Sequence, residues 1–407
     1  MSFETVVRAG VKFLIGTSLA VVLVAATPTH EVFSGQEGRP AQAPLDLQDE
    51  LDRIVALSEG FGGGVCRVSS GTSGILWEGS SGTLVHNGAL MQQDGAFEIA
   101  STSKAFTAAA VLLLVEEDLL FLDQTIDELL PPAYTTGLIV IDGHDYTPEL
   151  TVRQLLAHTS GLPDYWYDPP YVYPGVNAFL LEYILHPQRF WEPEDILAYV
   201  PGLDPLFVPG TDWHYSDTGY VLAGLIVEVL TGQALHEVYR ERIFAPLGLD
   251  DTWLHWREEP ASGLVESHRY EGTLDMYDKR HNSADWAGGG LVSSTADLET
   301  FMRALADNTL FSDPTTLDEM TDWIGTGTPY IEYGLGLFRT WLDQGKGEIW
   351  GHDGYGSSWM YYWPDQDVTL VGTLNQTEND WWPLVMETAL QVDASPSCFL
   401  LSIQKKM

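Results

Sequence analysis

With 407 residues the chain is long enough to bury a sizeable core, as one large domain or two interleaved ones. Hydrophobic residues make up 45% of it and aromatic residues 12%, which excludes a disordered chain. A formal net charge of -39 leaves no basic stripe to neutralise phosphates, so a nucleic-acid partner is excluded too. The same carboxylate-rich, lysine-poor composition suits a salty medium, or simply solubility through net charge.

Arg8 and Lys12 precede the apolar run FLIGTSLAVVLVAA, Phe13 to Ala26, which ends in small residues before Thr27. This pattern predicts an export signal over 1–26, hence a periplasmic, secreted or cell-surface protein. The run is short for a membrane span, and left uncleaved it would act as an anchor. Residues 27–44, with SGQEGRPAQAP, read as a linker; the ordered domain is expected over 45–395 and a tail over 396–407. GFGGGVCRVSS and GILWEGSSG, parted by GTSG, predict an antiparallel hairpin. The only cysteines, Cys66 and Cys398, are expected to be separate thiols, although export would permit a disulfide.

FEIASTSKAFTAAAVLLLVEEDLL, Phe97 to Leu120, is helix-forming and is expected to stop before Pro131 and Pro132. Helical patterns then dominate 131–263: TVRQLLAH, FLLEYIL, PEDILAYV and TGYVLAGLIVEVLTG, the last closed by Gly232. Strand signals return with GGLVSS, GLGLFRTWL, EIWGHDG, SSWMYYWP and VTLVGTLN, before a last helix, WPLVMETALQV. Strands at both ends predict an α/β fold. Its α/β part spans 45–130 and 264–395, and 131–263 forms a mostly α-helical insertion.

Three stretches point to chemistry. Ser101 and Lys104 stand at i and i+3 near the start of the apolar helix, so they share a face. Unpaired N–H groups there favour an oxyanion, and apolar neighbours would desolvate the lysine amine beside a serine nucleophile. The alternative is an N-cap serine and a lysine whose stem lies along apolar surface. Tyr215 and Asp217 lie in WHYSDTGYVLAG, just before a strong helix. A tyrosine near a buried ammonium has its pKa lowered and acts as a base; alternatively Tyr215 packs and Asp217 caps the helix. In IWGHDGYGSSWMYY, His352 and Gly354 are expected to line a cleft, with the N–H of Tyr355 as an oxyanion donor. Otherwise the glycines mark a bulge.

Together, in this order and spacing, these stretches resemble the serine β-lactamase and penicillin-recognising family, in particular its class C-like branch of D,D-carboxypeptidases, D-aminopeptidases, carboxylesterases and β-lactamases. LTVRQLLAHTSGLPDY, FAPLGLDDTW and GGLVSSTADLETFM match its framework. The resemblance implies a β-lactamase-like fold, mainly antiparallel sheet flanked by helices. It implies Ser101 as acylated nucleophile, Lys104 as its proton partner and Tyr215 as base and then acid. His352-Asp353-Gly354 takes the place of Lys-Thr-Gly, and the N–H groups of Ser101 and Tyr355 form the oxyanion hole.

One departure is Asp217, where the pattern has asparagine. A carboxylate only accepts hydrogen bonds, so it holds Lys104 protonated and shifts proton transfer to Tyr215. Asp217 and the His352 head both disfavour a β-lactam carboxylate. The expected function is therefore an exported serine hydrolase of D,D-peptidase, D-aminopeptidase or carboxylesterase type, acting on a small molecule or peptide. A class C-type β-lactamase is the alternative, and a non-catalytic scaffold the rival of another class. The aromatic loop DYWYDPPYVYPGV, Asp164 to Val176, is expected either to wall an acyl pocket or to be a packed insertion. No clustered Cys/His or His-Glu-x-x-His pattern argues for a metal, no cofactor is called for, and a Gly-x-Ser-x-Gly elbow is lacking. His158, in AHTSGL, is expected to stabilise a loop.

Overall fold

Strands from the two ends of the chain close one sheet. A computed structural model describes residues 45–58, 61–260, 263–342, 345–377 and 379–394. The expected export segment, linker, tail and Cys398 lie outside the described residues. The expected hairpin forms from β1 (Gly63–Ser70) and β2 (Gly74–Gly82). Three short strands, β3 (Ala96–Glu98), β4 (Trp253–Leu254) and β5 (Leu291–Ser294), make a separate sheet in the order β3-β5-β4. The C-terminal strands are β6 (Ile324–Gly325), β7 (Ile331–Tyr333), β8 (Phe338–Trp341), β9 (Glu348–Gly354), β10 (Ser358–Trp363) and β11 (Val368–Leu374). They join the hairpin in one antiparallel sheet, ordered β6-β7-β8-β9-β10-β11-β1-β2.

Alternation along these strands builds a layer on each face. Cys66, Val68, Trp359, Tyr361 and Leu370 pack with Leu51 and Ile54 of α1 (Gln48–Ala56) and with Leu384 and Ala389 of α10 (Trp382–Ala394). Cys66 is buried, with no disulfide partner among the described residues. On the opposite face Val65, Met360 and Val371 meet α2 (Ser103–Glu116) and α9 (Thr295–Ala306). Phe106 of α2 stacks on Phe301 of α9 at 3.7 Å between ring centroids.

α2 is buried on every side from Ser103 to Leu112, as expected of a helix that is apolar all round. It is shorter than expected. Asp118 adopts a left-handed φ of 56°, and the Leu119 N–H turns back to the Leu114 carbonyl at 3.0 Å. The apolar pattern beyond belongs to a covering turn, with Leu120 and Leu122 buried. Residues 131–263 carry α3 (Val152–Leu156), α4 (Ala178–Leu185), α5 (Pro193–Leu197), α6 (Asp217–Thr231) and α7 (Leu235–Tyr239). They also hold a small hairpin, Val140–Ile141 with His144–Asp145. α8 (Trp286–Gly289) follows and leads into β5.

Candidate active site

Ser101 sits on a 3-10 turn, Ala100–Thr102, directly ahead of α2. Ala100 before it has a φ of 44°, a left-handed conformation costly for a residue with a Cβ and found mostly where surroundings enforce it. One turn on, Lys104 is fully buried. Its Nζ donates to Ser101 Oγ at 3.0 Å and to the Gly288 carbonyl at 2.7 Å, and it forms an ion pair with Asp217. Those contacts use all three ammonium donors. The rings of Tyr215 and Tyr220 lie 4.8 and 5.4 Å from the same nitrogen.

Local sequence makes this approach feasible. A Cβ at position 288 would stand 2.8 Å from an Asp217 oxygen, so only glycine lets that backbone reach the amine. Asp217 is the first residue of α6; Ser216 is the N-cap and makes no side-chain capping bond. The carboxylate thus serves Lys104. Its own N–H donates to Asp164 Oδ1 at 3.4 Å. Burial, with Asp217 and Asp168 nearby, holds the Asp164 carboxyl well above the usual carboxylate range.

The hydroxyl of Tyr215 is hydrogen-bonded to Ser101. Its expected acidification is reversed. Burial first, and the Asp217 charge second, push the phenol well above its ordinary value, which the bond to Ser101 only partly offsets. Asp217 cancels the ammonium field that was expected to lower it.

His352, on β9, is also buried. Its Nδ1 lies 2.6 Å from the Asp353 carbonyl, which only accepts, so Nδ1 carries the proton and Nε2 accepts from the Tyr333 hydroxyl at 3.2 Å. Burial and then the Lys104 charge push His352 down to about 3. It is a neutral group at the head of its motif. At the end of β9 a Cβ on Gly354 would fall 2.3 Å from the Ile99 carbonyl and 3.0 Å from Ala100 Cβ. The Gly354–Tyr355 backbone therefore lies against the turn that carries Ser101.

Lys104 contacts Ser101 and Asp217, Tyr215 is bonded to Ser101, and the His352 ring centroid lies 6.4 Å from that of Tyr215. The aromatic loop divides. Tyr165 and Trp166 are buried, Trp166 lying 5.1 Å from Phe179 and 4.8 Å from Tyr183, whereas Tyr171 and Val172 face solvent. Reasoning on the sequence missed the Gly288 carbonyl, whose signal was the AGGG run, and the Tyr333 hydroxyl, which has none. It also missed a charged cluster behind β3. There Arg269 donates to Glu98 at 2.7 Å, and His255 lies 3.4 Å from Glu98 and 3.7 Å from Glu266. Burial would raise Glu98, but Arg269, His255 and Asn282 hold it at about 2. Burial pushes Glu266 and Asp285 up to about 7. Glu98, His255 and Glu266 are spaced within 4.8 Å, as a cation would need, yet Arg269 already supplies positive charge to Glu98.

This fold, with a buried lysine held against a serine at the head of its central helix, defines a protein of the β-lactamase-like class. The family described as Beta-lactamase matches residues 71–389, and the chain belongs to it. It is 28% identical over 312 residues to penicillin-binding protein 4* of Bacillus subtilis strain 168, covering 71% of this chain and 62% of that protein. The chain thus spans less than two thirds of that relative. A D-stereospecific amidohydrolase from a Streptomyces species is 30% identical, with a TM-score of 0.68 over 84% of this chain and 97% of that one. The D-amino acid amidase of Ochrobactrum anthropi SV3, complexed with D-phenylalanine, is 25% identical, with a TM-score of 0.69 over 86% and 99%.

Proposed function

We propose that this protein is an exported serine hydrolase that cleaves an amide or ester through an acyl-enzyme on Ser101. The observation that carries the reading is the convergence of the Lys104 ammonium and the Tyr215 hydroxyl on one serine oxygen. Because all three ammonium donors are engaged and the phenol is held neutral, Tyr215 acts as a relay. Its oxygen takes the Ser101 proton while its own proton passes to the leaving nitrogen or oxygen, so it is neutral before and after. Lys104 stabilises the charge developing on Oγ, and the N–H groups of Ser101 and Tyr355 receive the carbonyl oxyanion. Water then reverses the same path. Export rests on the N-terminal apolar run alone.

The substrate is a small molecule or peptide that presents no carboxylate to this site. His352 is neutral and Asp217 offsets Lys104, so no net positive charge is left to bind one. This argues against the β-lactamase alternative. D-Amino-acid amides, after the D-amino acid amidase among the structural relatives, are the first candidates, with p-nitrophenyl esters second. A fluorophosphonate should add to the peptide containing Ser101, as read by mass spectrometry, and Ser101→Ala should abolish turnover of D-amino-acid anilides, p-nitrophenyl esters and nitrocefin alike. An adduct on another serine, with Ser101→Ala still active, would overturn the assignment.

A further inference from the structure

His158 follows α3 and its C-cap Ala157, at a helix end closed by two bonds. The Thr159 N–H reaches the Gln154 carbonyl at 3.0 Å and the His158 N–H reaches that of Leu155 at 3.5 Å. That closure places position 158 in the left-handed region, with a φ of 60°, where helices usually carry glycine and sometimes asparagine. A histidine there costs backbone strain that the cap does not require. What it gains lies at Tyr215, whose ring it touches.

The residues on both sides of Tyr215 donate their N–H groups to His158. The His214 N–H donates to the His158 carbonyl at 2.9 Å, and the Ser216 N–H donates to His158 Nδ1 at 3.1 Å. Between these two anchors the His158 ring lies against the Tyr215 ring, 4.2 Å between centroids. Accepting from Ser216 leaves the ring proton on Nε2, which is buried without a hydrogen-bond partner among the described residues. The rings of Tyr220 and Tyr333 stand 5.3 and 4.7 Å from the imidazole. Protonating Nδ1 would break the Ser216 bond. Burial first, and then the Lys104 charge, oppose it and hold the imidazole well below its ordinary pKa. The neighbouring loop completes the cradle, since Ser216 Oγ and Thr218 Oγ1 donate to the Pro163 carbonyl at 3.1 and 2.6 Å.

We infer that His158 is a positioning residue for the reaction: its carbonyl and Nδ1 clamp the backbone on either side of Tyr215 and hold that hydroxyl on Ser101. This rests on the relay role proposed for Tyr215. A displacement of the hydroxyl by about 1 Å costs on the order of 10²-fold in rate, without altering where substrate binds.

Glycine and asparagine both accept the left-handed backbone, but only asparagine offers an acceptor near the Nδ1 position. His158→Gly is expected to fold, to lose on the order of 10²-fold in kcat, and to keep KM within about twofold. Its labelling by fluorophosphonate should slow in parallel. His158→Asn should recover kcat to within about fivefold of wild type. Tyr215→Phe is measured alongside. If Tyr215→Phe loses its rate while folded His158→Gly keeps it, or if glycine and asparagine fail equally, the clamp is refuted. If Tyr215→Phe keeps its rate, the relay itself is refuted and the clamp with it. Should His158→Gly not fold, His158→Asn decides alone: kcat within about fivefold supports the clamp, and a loss near 10²-fold overturns it.

Discussion

Replacing Asp217 by asparagine removes one charge from the site at nearly constant volume. In the folded protein this carboxylate is 13% exposed and pairs with an ammonium that is fully buried. Deleting one partner of such a pair costs roughly 3–5 kcal/mol. The amide oxygen still accepts from Lys104 Nζ, and Ser101 Oγ and the Gly288 carbonyl remain, so a loss of about 1–3 kcal/mol is expected in urea unfolding. In the cleft, one charge contributes on the order of 1 kcal/mol, or about fivefold in kcat/KM. Nitrocefin carries a carboxylate and p-nitrophenyl butyrate does not, so the ratio of their kcat/KM values should rise by about that factor in Asp217→Asn. A second readout follows from Tyr215. Asp217 is the main charge raising that phenol, so removing it lowers the phenol pKa, and the alkaline limb of kcat/KM should move to lower pH. Both substrates are assayed in both proteins at one salt concentration across pH. An unchanged or reversed ratio, with the alkaline limb unmoved, refutes the electrostatic account of position 217.

Tyr215→Phe keeps the ring and removes the relay, so near-UV circular dichroism should be retained while kcat falls on the order of 10²-fold. Near wild-type turnover would leave Tyr215 a packing residue. His352 is held down to about 3, so it stays uncharged through neutral pH; His352→Gln should leave the shape of the rate profile between about pH 5 and 8 unaltered. A limb that disappears in this variant would mean that His352 titrates there. Glu266 is raised by burial to about 7, above an unfolded value of about 4.3. The folded state therefore holds that proton more tightly, a stabilisation complete below about pH 4 and lost as pH rises through about 7. Glu266→Gln should match wild type in urea at about pH 4.5 and exceed it at about pH 8 by on the order of 1–3 kcal/mol. Equal stability at the higher pH would show that Arg269 and His255 already neutralise the cluster.

Much of this molecule is legible one segment at a time, because the signals are local. The nearly continuous apolar runs VTLVGTL and SWMYYW mark strands buried on both faces, and the all-round apolar SKAFTAAAVLLLVE marks the interior helix. The spacing of Ser101 and Lys104 follows from helical geometry, so their contact needs no knowledge of the rest of the chain. Where that helix ends was not legible: the apolar pattern runs past Asp118, and only the left-handed turn there shows that it has changed meaning. The proton chemistry was not legible either, because protonation depends on burial and charge supplied from far along the sequence. Lys104 is completed by a carbonyl 184 positions away, and Tyr215 is held by a histidine from another helix end. From its own segment Asp217 reads first as a helix cap, and as a partner for the lysine only through the family resemblance. The tertiary structure turns it to the lysine and leaves the tyrosine neutral: burial raises the phenol first, and the carboxylate charge, paired with the ammonium, raises it further.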